Sequence, residues 1–93
     1  MRTIKRATAF RRDYRGIRAI PRYRDIDDRL TAVLELLATD QALPPNNHDH
    51  SLSGDWSGYR ECHVRPDLLL IYEKPDAELS RLVRLGSHSD LFG

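Results

Sequence analysis

All four histidines of this 93-residue chain, His48, His50, His63 and His88, lie in its second half, with Asp67 after a proline and Arg84 in the last apolar run. Imidazole both accepts and donates protons near neutral pH, so two of them can serve the two ends of an in-line displacement. An arginine fork can hold two phosphate oxygens as negative charge builds on them. Two histidines and an arginine are the minimum kit for metal-free RNA cleavage. A base takes the ribose 2′-hydroxyl proton, the alkoxide attacks the adjacent phosphorus, and an acid protonates the departing 5′-oxygen. Composition alone leaves this as one option among several.

Metal chemistry competes for the same residues. Structural zinc sites are marked by close ligand pairs, and the only tight pair here is His48-x-His50 in a polar segment, while Cys62 and His63 are adjacent and point to opposite sides of a strand. The pattern therefore predicts no bound metal and no cofactor. Nucleophilic catalysis by Cys62 is also disfavoured, because strand alternation groups Cys62 with Arg60 and Val64, away from His63.

Ninety-three residues, 40% of them hydrophobic and 31% charged, suit one domain, taken as residues 1–93, with a single modest core. A multidomain enzyme is excluded, and a wholly disordered chain disagrees with the apolar content. The lone Cys62 allows no internal disulfide, and the longest apolar run, Leu68 to Tyr72, is far too short to span a bilayer. These features predict a cytoplasmic protein without membrane contact. The net charge of +1 hides an asymmetry: residues 1–30 hold ten Lys/Arg against four Asp/Glu, and residues 31–93 hold five against ten. A basic half is most often a set of solvated helix faces; the sharper reading is a surface for a polyanion.

The elements that must position these groups follow from periodicity. Residues 2 to 8 alternate weakly, as for an edge strand. Phe10, Tyr14, Ile17 and Ile20 follow helical spacing with Arg11, Arg12, Arg15 and Arg18 between them, and Pro21 ends the run. Asp25 is the expected N-cap of a second helix built on Ile26, Leu30, Val33, Leu34 and Leu37, which Pro44-Pro45 stop. A polar loop over 46–51 then leads to three strands, Tyr59 to Val64, Leu68 to Tyr72 and Leu79 to Leu85, separated by Pro66-Asp67 and Pro75-Asp76. The expected fold class is α+β: an N-terminal strand, two helices, then a three-strand antiparallel meander, one sheet with helices on one face.

The run His50-Ser51-Leu52-Ser53-Gly54-Asp55-Trp56-Ser57-Gly58-Tyr59-Arg60-Glu61-Cys62-His63-Val64-Arg65-Pro66-Asp67, then Leu70-Ile71-Tyr72, and the close Arg84-Leu85-Gly86-Ser87-His88 with Leu91-Phe92-Gly93, resemble the YafQ group of the RelE/ParE toxin superfamily. The motif covers about the second half of the chain and is far more specific than any short pattern. The resemblance implies a RelE-like fold and a bacterial type II toxin, a ribosome-dependent endoribonuclease that cuts messenger RNA. It implies silencing by a cognate antitoxin of the DinJ or RelB kind, acidic and partly disordered, with operator DNA met only through that antitoxin.

The same resemblance places His50, His63, Asp67, Arg84 and His88 in catalysis, with His88 and Asp67 in proton transfer and His50 and His63 positioning or sharing the proton. Phe92, stacked on an unpaired base, and Arg60 are expected to bind substrate, and Arg11, Arg12, Arg15 and Arg18 to form the antitoxin or ribosome surface. Each has an ordinary competitor: an exposed loop histidine at 50, a half-buried one at 63, a turn aspartate at 67, a snorkelling arginine at 84 and a tail-pinning aromatic at 92. Gly54 and Gly58 are assigned to turn geometry and Trp56 to the core. Two other functions compete, a ParE-like poison of DNA gyrase that cuts no RNA and an inactive module that only binds an antitoxin. The histidine set favours the nuclease, since an inhibitor that moves no proton has no need of several imidazoles.

Overall fold

The computed structural model describes residues 1–93. Its elements in chain order are β1 (Thr3–Arg6), α1 (Thr8–Arg18), α2 (Ile26–Ala38), β2 (His50–Ser51), β3 (Arg60–Arg65), β4 (Leu68–Asp76), β5 (Leu79–Gly86) and α3 (His88–Phe92). The strands make one sheet in the order β1-β5-β4-β3-β2, with β1 parallel to β5 and every other pair antiparallel. The expected α+β class and meander hold. The first strand lies at an edge, as its charged residues require.

One face of the sheet carries α1 and α2. Phe10 and Ile17 of α1 and Ile26, Leu30, Val33 and Leu37 of α2 pack on Cys62, Val64, Leu68, Leu70, Tyr72, Leu82 and Leu85. Helical spacing puts each set on one stripe, and each such side chain fully buried contributes about 1.5–3 kcal/mol. Ile20, expected on the stripe of α1, lies beyond the helix end and is 42% exposed.

The expectation of helices on one face only is corrected. The short α3 lies on the opposite face, where Leu91 packs with Leu69 and Ile71 under a cover of Leu52, Trp56, Tyr59, Val83 and Phe92. Ser87 caps this helix in a capping box, accepting from the Asp90 amide at 3.1 Å while Asp90 receives the Ser87 amide. Gly86 allows the close approach, since a Cβ there would meet Asp90 Cβ and Leu91 Cδ2 at 3.3 Å. Trp56, expected in the core, is only partly buried and packs against this second, smaller cluster.

Three boundaries also differ from expectation. Asp25 precedes α2 but does not cap it, because its carboxylate is taken by Arg29 at 2.7 Å and Arg65 at 2.5 Å. The helix ends at Ala38, six residues before Pro44, and Asp40, just past the Thr39 C-cap, stands in the left-handed region with φ +57°. The polar loop is not wholly irregular: Pro45–Asn47 form a 3-10 turn, and His50–Ser51 pair with β3 as a fifth strand.

Candidate active site

Register, rather than sequence proximity, assembles the site. His50 stands opposite Glu61, Glu61 opposite Ile71, and Ile71 opposite Arg84, so one row crosses β2, β3, β4 and β5. The adjacent row joins His63, Leu69 and Gly86, and the chain then runs through Ser87 into His88. Directly paired residues share a face. Both rows therefore start from the Leu69/Ile71 face, and only Arg84, on the part of β5 that β1 leaves uncovered, turns its side chain to Asp13 of α1.

His50 and His63 converge on Glu61. His50 Nε2 is 3.8 Å and His63 Nε2 3.9 Å from Glu61 Oε1, and Glu61 is only 6% exposed. Its burial without compensation is costly, and two imidazoles able to take protons offset that cost. His50 Nδ1 lies 2.8 Å from the carbonyl oxygen of His48. A carbonyl only accepts, so Nδ1 carries a proton, and Nε2 is the ring nitrogen turned toward Glu61. His48, which the resemblance leaves out, contributes that carbonyl from a left-handed residue at φ +48°, and its ring lies 5.1 Å from that of His63. Asn47 donates to the His63 carbonyl at 2.7 Å and fixes the loop to β3.

At the other end, the His88 and Phe92 rings are 5.1 Å apart on one turn of α3, and Phe92 meets Trp56 edge to face at 6.0 Å. Trp56 in turn meets Tyr59 at 5.4 Å. Gly54 at φ +65° and Gly58 at φ +93° bend the chain around this indole, as their assignment to turns expects. Phe92 remains partly exposed, His88 is exposed, and both are open to a base.

Asp67 and Arg84 are each held in an ion pair. Asp67, in the tight turn between β3 and β4, accepts from the Tyr23 hydroxyl at 2.8 Å and from Arg22 at 2.9 Å, and Arg65 Nε lies 3.6 Å away. The Arg22 and Arg65 guanidiniums sit 4.8 and 5.2 Å from the Tyr23 ring centre. The Tyr23 hydrogen bond first, and the two arginines with it, hold the Asp67 carboxyl below the usual carboxylate range. A standing anion of this kind is a weak base, a state that suits fixed charge better than the proton transfer expected of Asp67. Arg84 donates from Nε at 2.6 Å and Nη2 at 3.2 Å to Asp13 of α1.

Two expected assignments are not supported by position. Arg60 pairs with Tyr72 on the helix side of the sheet, donating to Asp49 at 2.8 Å and Ser51 Oγ at 2.8 Å, so it braces the loop rather than meeting substrate on the histidine face. The four helical arginines are not one surface. Arg11, Arg15 and Arg18 join Arg6, Phe10 and Tyr14 around a cleft of about 580 Å³, whereas Arg12 lines a separate cleft of about 400 Å³ with Asp13, Arg84 and Asp90. Helical rotation of about 100° per residue explains the split. Cys62, facing the core, is fully buried and its thiol is pushed up to about 12 by burial, so it is no nucleophile.

No three His, Cys, Asp or Glu side chains converge closely enough to hold a metal ion, and no helix is long and apolar enough to cross a membrane.

Residues 2–93 match the family model described as the bacterial toxin of type II toxin-antitoxin system, YafQ. The chain is 40% identical over 72 residues, 77% of each chain, to a protein of Escherichia coli K12 called mRNA interferase toxin YafQ. It superposes with TM-score 0.82 and 33% identity on a chain of the E. coli DinJ-YafQ complex, covering all of both. With a metal-bound toxin from Helicobacter pylori the TM-score is 0.84 and the identity 40%, covering 99% of this chain and all of that one.

Proposed function

This chain belongs to the YafQ family of bacterial type II toxins, and from that premise we propose that it is an endoribonuclease that cuts messenger RNA on the ribosome and is silenced by a DinJ-like antitoxin. The observation that carries this reading is the 40% identity to an E. coli protein called an mRNA interferase, over a stretch of 72 residues. The E. coli complex with DinJ supports an antitoxin of that kind.

In this reading the sheet face that carries His50, Glu61 and Ile71, with Arg84 at its β5 margin, receives the RNA. An imidazole of the Glu61 group takes the 2′-hydroxyl proton, and His50 suits this because its Nδ1 is committed to the His48 carbonyl while its Nε2 is turned toward Glu61. The alkoxide attacks phosphorus and leaves a 2′,3′-cyclic phosphate. Arg84 balances the charge on the non-bridging oxygens, and His88 gives its proton to the departing 5′-oxygen. His63, beside the same Glu61 oxygen as His50, helps to position that imidazole, Asp67 orients Arg22 and Arg65 as fixed charge, and Phe92 stacks on a base lifted from its neighbours. One proton is taken by His50 and one given by His88, and exchange with water afterwards returns both side chains to their starting states, so the chemistry asks for no bound metal or cofactor. The cleft of Arg6, Arg11, Arg15 and Arg18 serves the antitoxin and ribosomal RNA, and such an enzyme works in the cytoplasm.

Induced expression in a bacterium tests the reading. Rapid arrest of translation with cut transcripts is expected. DNA damage with filamentation points instead to gyrase, and unaffected growth to an inactive module. Cleavage by EDTA-treated toxin, with Mg²⁺ returned for the ribosome alone, tests the metal-free step; activity restored only by zinc, copper or manganese overturns it.

A further inference from the structure

Arg84 is gripped along one edge only. Its Nε and Nη2 reach Oδ2 and Oδ1 of Asp13 at 2.6 and 3.2 Å, a side-on pair. A guanidinium has five N–H groups, and a side-on pair occupies two of them. The edge formed by Nη1 and the second Nη2 hydrogen is left for a second bidentate partner, and the geometry of that edge matches two oxygens of a phosphodiester.

Asp13 is built into the sheet as well. Its Oδ2 also accepts the Leu85 amide at 3.1 Å. That amide lacks a strand partner because β1 stops at Arg6, opposite Leu82, leaving the rest of β5 without its parallel neighbour. Here the β4–β5 ladder is irregular: Tyr72 faces Leu82 and Ile71 faces Arg84, so Val83 is an extra residue. Bulges of this kind re-aim a side chain next to a site. One carboxylate, with its side chain 14% exposed, thus ties α1, the bulged end of β5 and the Arg84 side chain, itself 30% exposed, into one unit.

We propose that Asp13 is a positioning residue for RNA cleavage: it holds Arg84 by the Nε edge so that the Nη1–Nη2 edge meets the scissile phosphate. This rests on the reading of Arg84 as the phosphate-binding residue. Asp13 touches no substrate and acts through Arg84 alone. Free of Asp13, the flexible arginine must be ordered by the phosphate itself, and misplacement of a charge-stabilising group by about 1 Å costs on the order of a hundredfold in rate.

The test is single-turnover cleavage on programmed ribosomes by the parent, Asp13→Asn, Arg84→Ala and the double variant. Asp13→Asn keeps an oxygen for the Leu85 amide and removes the charge. Its cleavage rate is expected to fall about a hundredfold with ribosome affinity unchanged, and to fall no further in the Arg84→Ala background. An equal loss in both backgrounds shows a merely structural role and overturns the proposal, as does a rate equal to or above that of the parent. A parent that cuts no RNA overturns the reading beneath it and is recognised separately. If Asp13→Asn fails to fold, nitrogen NMR of the parent's arginine side chains decides. On titration with a dinucleoside phosphate, the Arg84 Nη signals are expected to move while Nε–H keeps its hydrogen bond; loss of the Nε contact, or no response at Nη, overturns the proposal.

Discussion

Glu61 lies opposite His50 on the β2–β3 ladder, with its buried Oε1 3.8 Å from His50 Nε2. His63, two residues along β3, approaches the same oxygen at 3.9 Å. A carboxylate between two imidazoles orients both and balances the charge either gains when it takes a proton.

Glu61→Gln keeps the shape and removes that charge. Cleavage on the ribosome is expected to fall by about tenfold to a hundredfold, while antitoxin binding, read by calorimetry, stays as in the parent. Parent-like cleavage would reduce Glu61 to a buried bystander.

His88→Ala and Arg84→Ala are each expected to abolish toxicity and leave a folded protein that binds its antitoxin. Loss of one acid/base group or of transition-state charge stabilisation removes about 10²–10⁴-fold in rate. Growth arrest at matched expression is the measurement, and arrest equal to the parent's removes the residue from catalysis.

The split of the helical arginines gives two different outcomes. Arg11, Arg15 and Arg18 share a cleft with Arg6, and only Arg18 of these has a carboxylate partner, Asp27 at 3.6 Å. Changing Arg11, Arg15 and Arg18 to Gln should slow antitoxin association and flatten its salt dependence, since exposed charges are screened beyond about 8 Å at physiological ionic strength. Arg12→Gln, beside Arg84 in the other cleft, should weaken cleavage more than antitoxin association. Stopped-flow association and primer extension separate the two, and identical effects from both variants would contradict the split.

Cys62 makes a prediction in pH. Its thiol rises from 9.0 to about 12 on folding, through burial first and through Asp49 and Glu61 next. The folded form therefore holds the proton more tightly, and this contribution to stability is complete below about pH 9 and lost as pH climbs toward 12. Iodoacetamide at pH 8.5 should leave the native thiol unmodified and label it promptly in urea; rapid native labelling would show that the core opens at β3. In Cys62→Ala, urea midpoints should decline less between pH 9 and 11 than in the parent.

Local pattern was enough for much of the architecture. Two-residue alternation separated Cys62 from His63 and grouped His63 with Glu61; helical spacing marked the stripes of α1 and α2; Pro66-Asp67 marked a turn, whereas Pro75-Asp76, expected as the next one, extends β4 and the chain turns at Ala77-Glu78. These depend on neighbours in the chain, and the motif from His50 to Asp67 carried the family likeness. The rotation that parts Arg12 from Arg11, Arg15 and Arg18 was also present in the spacing. The helix α3 was not among the expected elements: its Ser87 and Asp90 capping box spans one turn, and five residues are too few for a helical period to appear. What the tertiary structure decided is long in sequence separation. The row His50-Glu61-Ile71-Arg84 depends on hydrogen-bond register across four strands, Arg60 faces the helices through that register, and Asp13 meets Arg84 71 residues away. A one-residue slip moves every side chain of a strand to the other face, so no local pattern encodes these partnerships; burial of the whole sheet selects them.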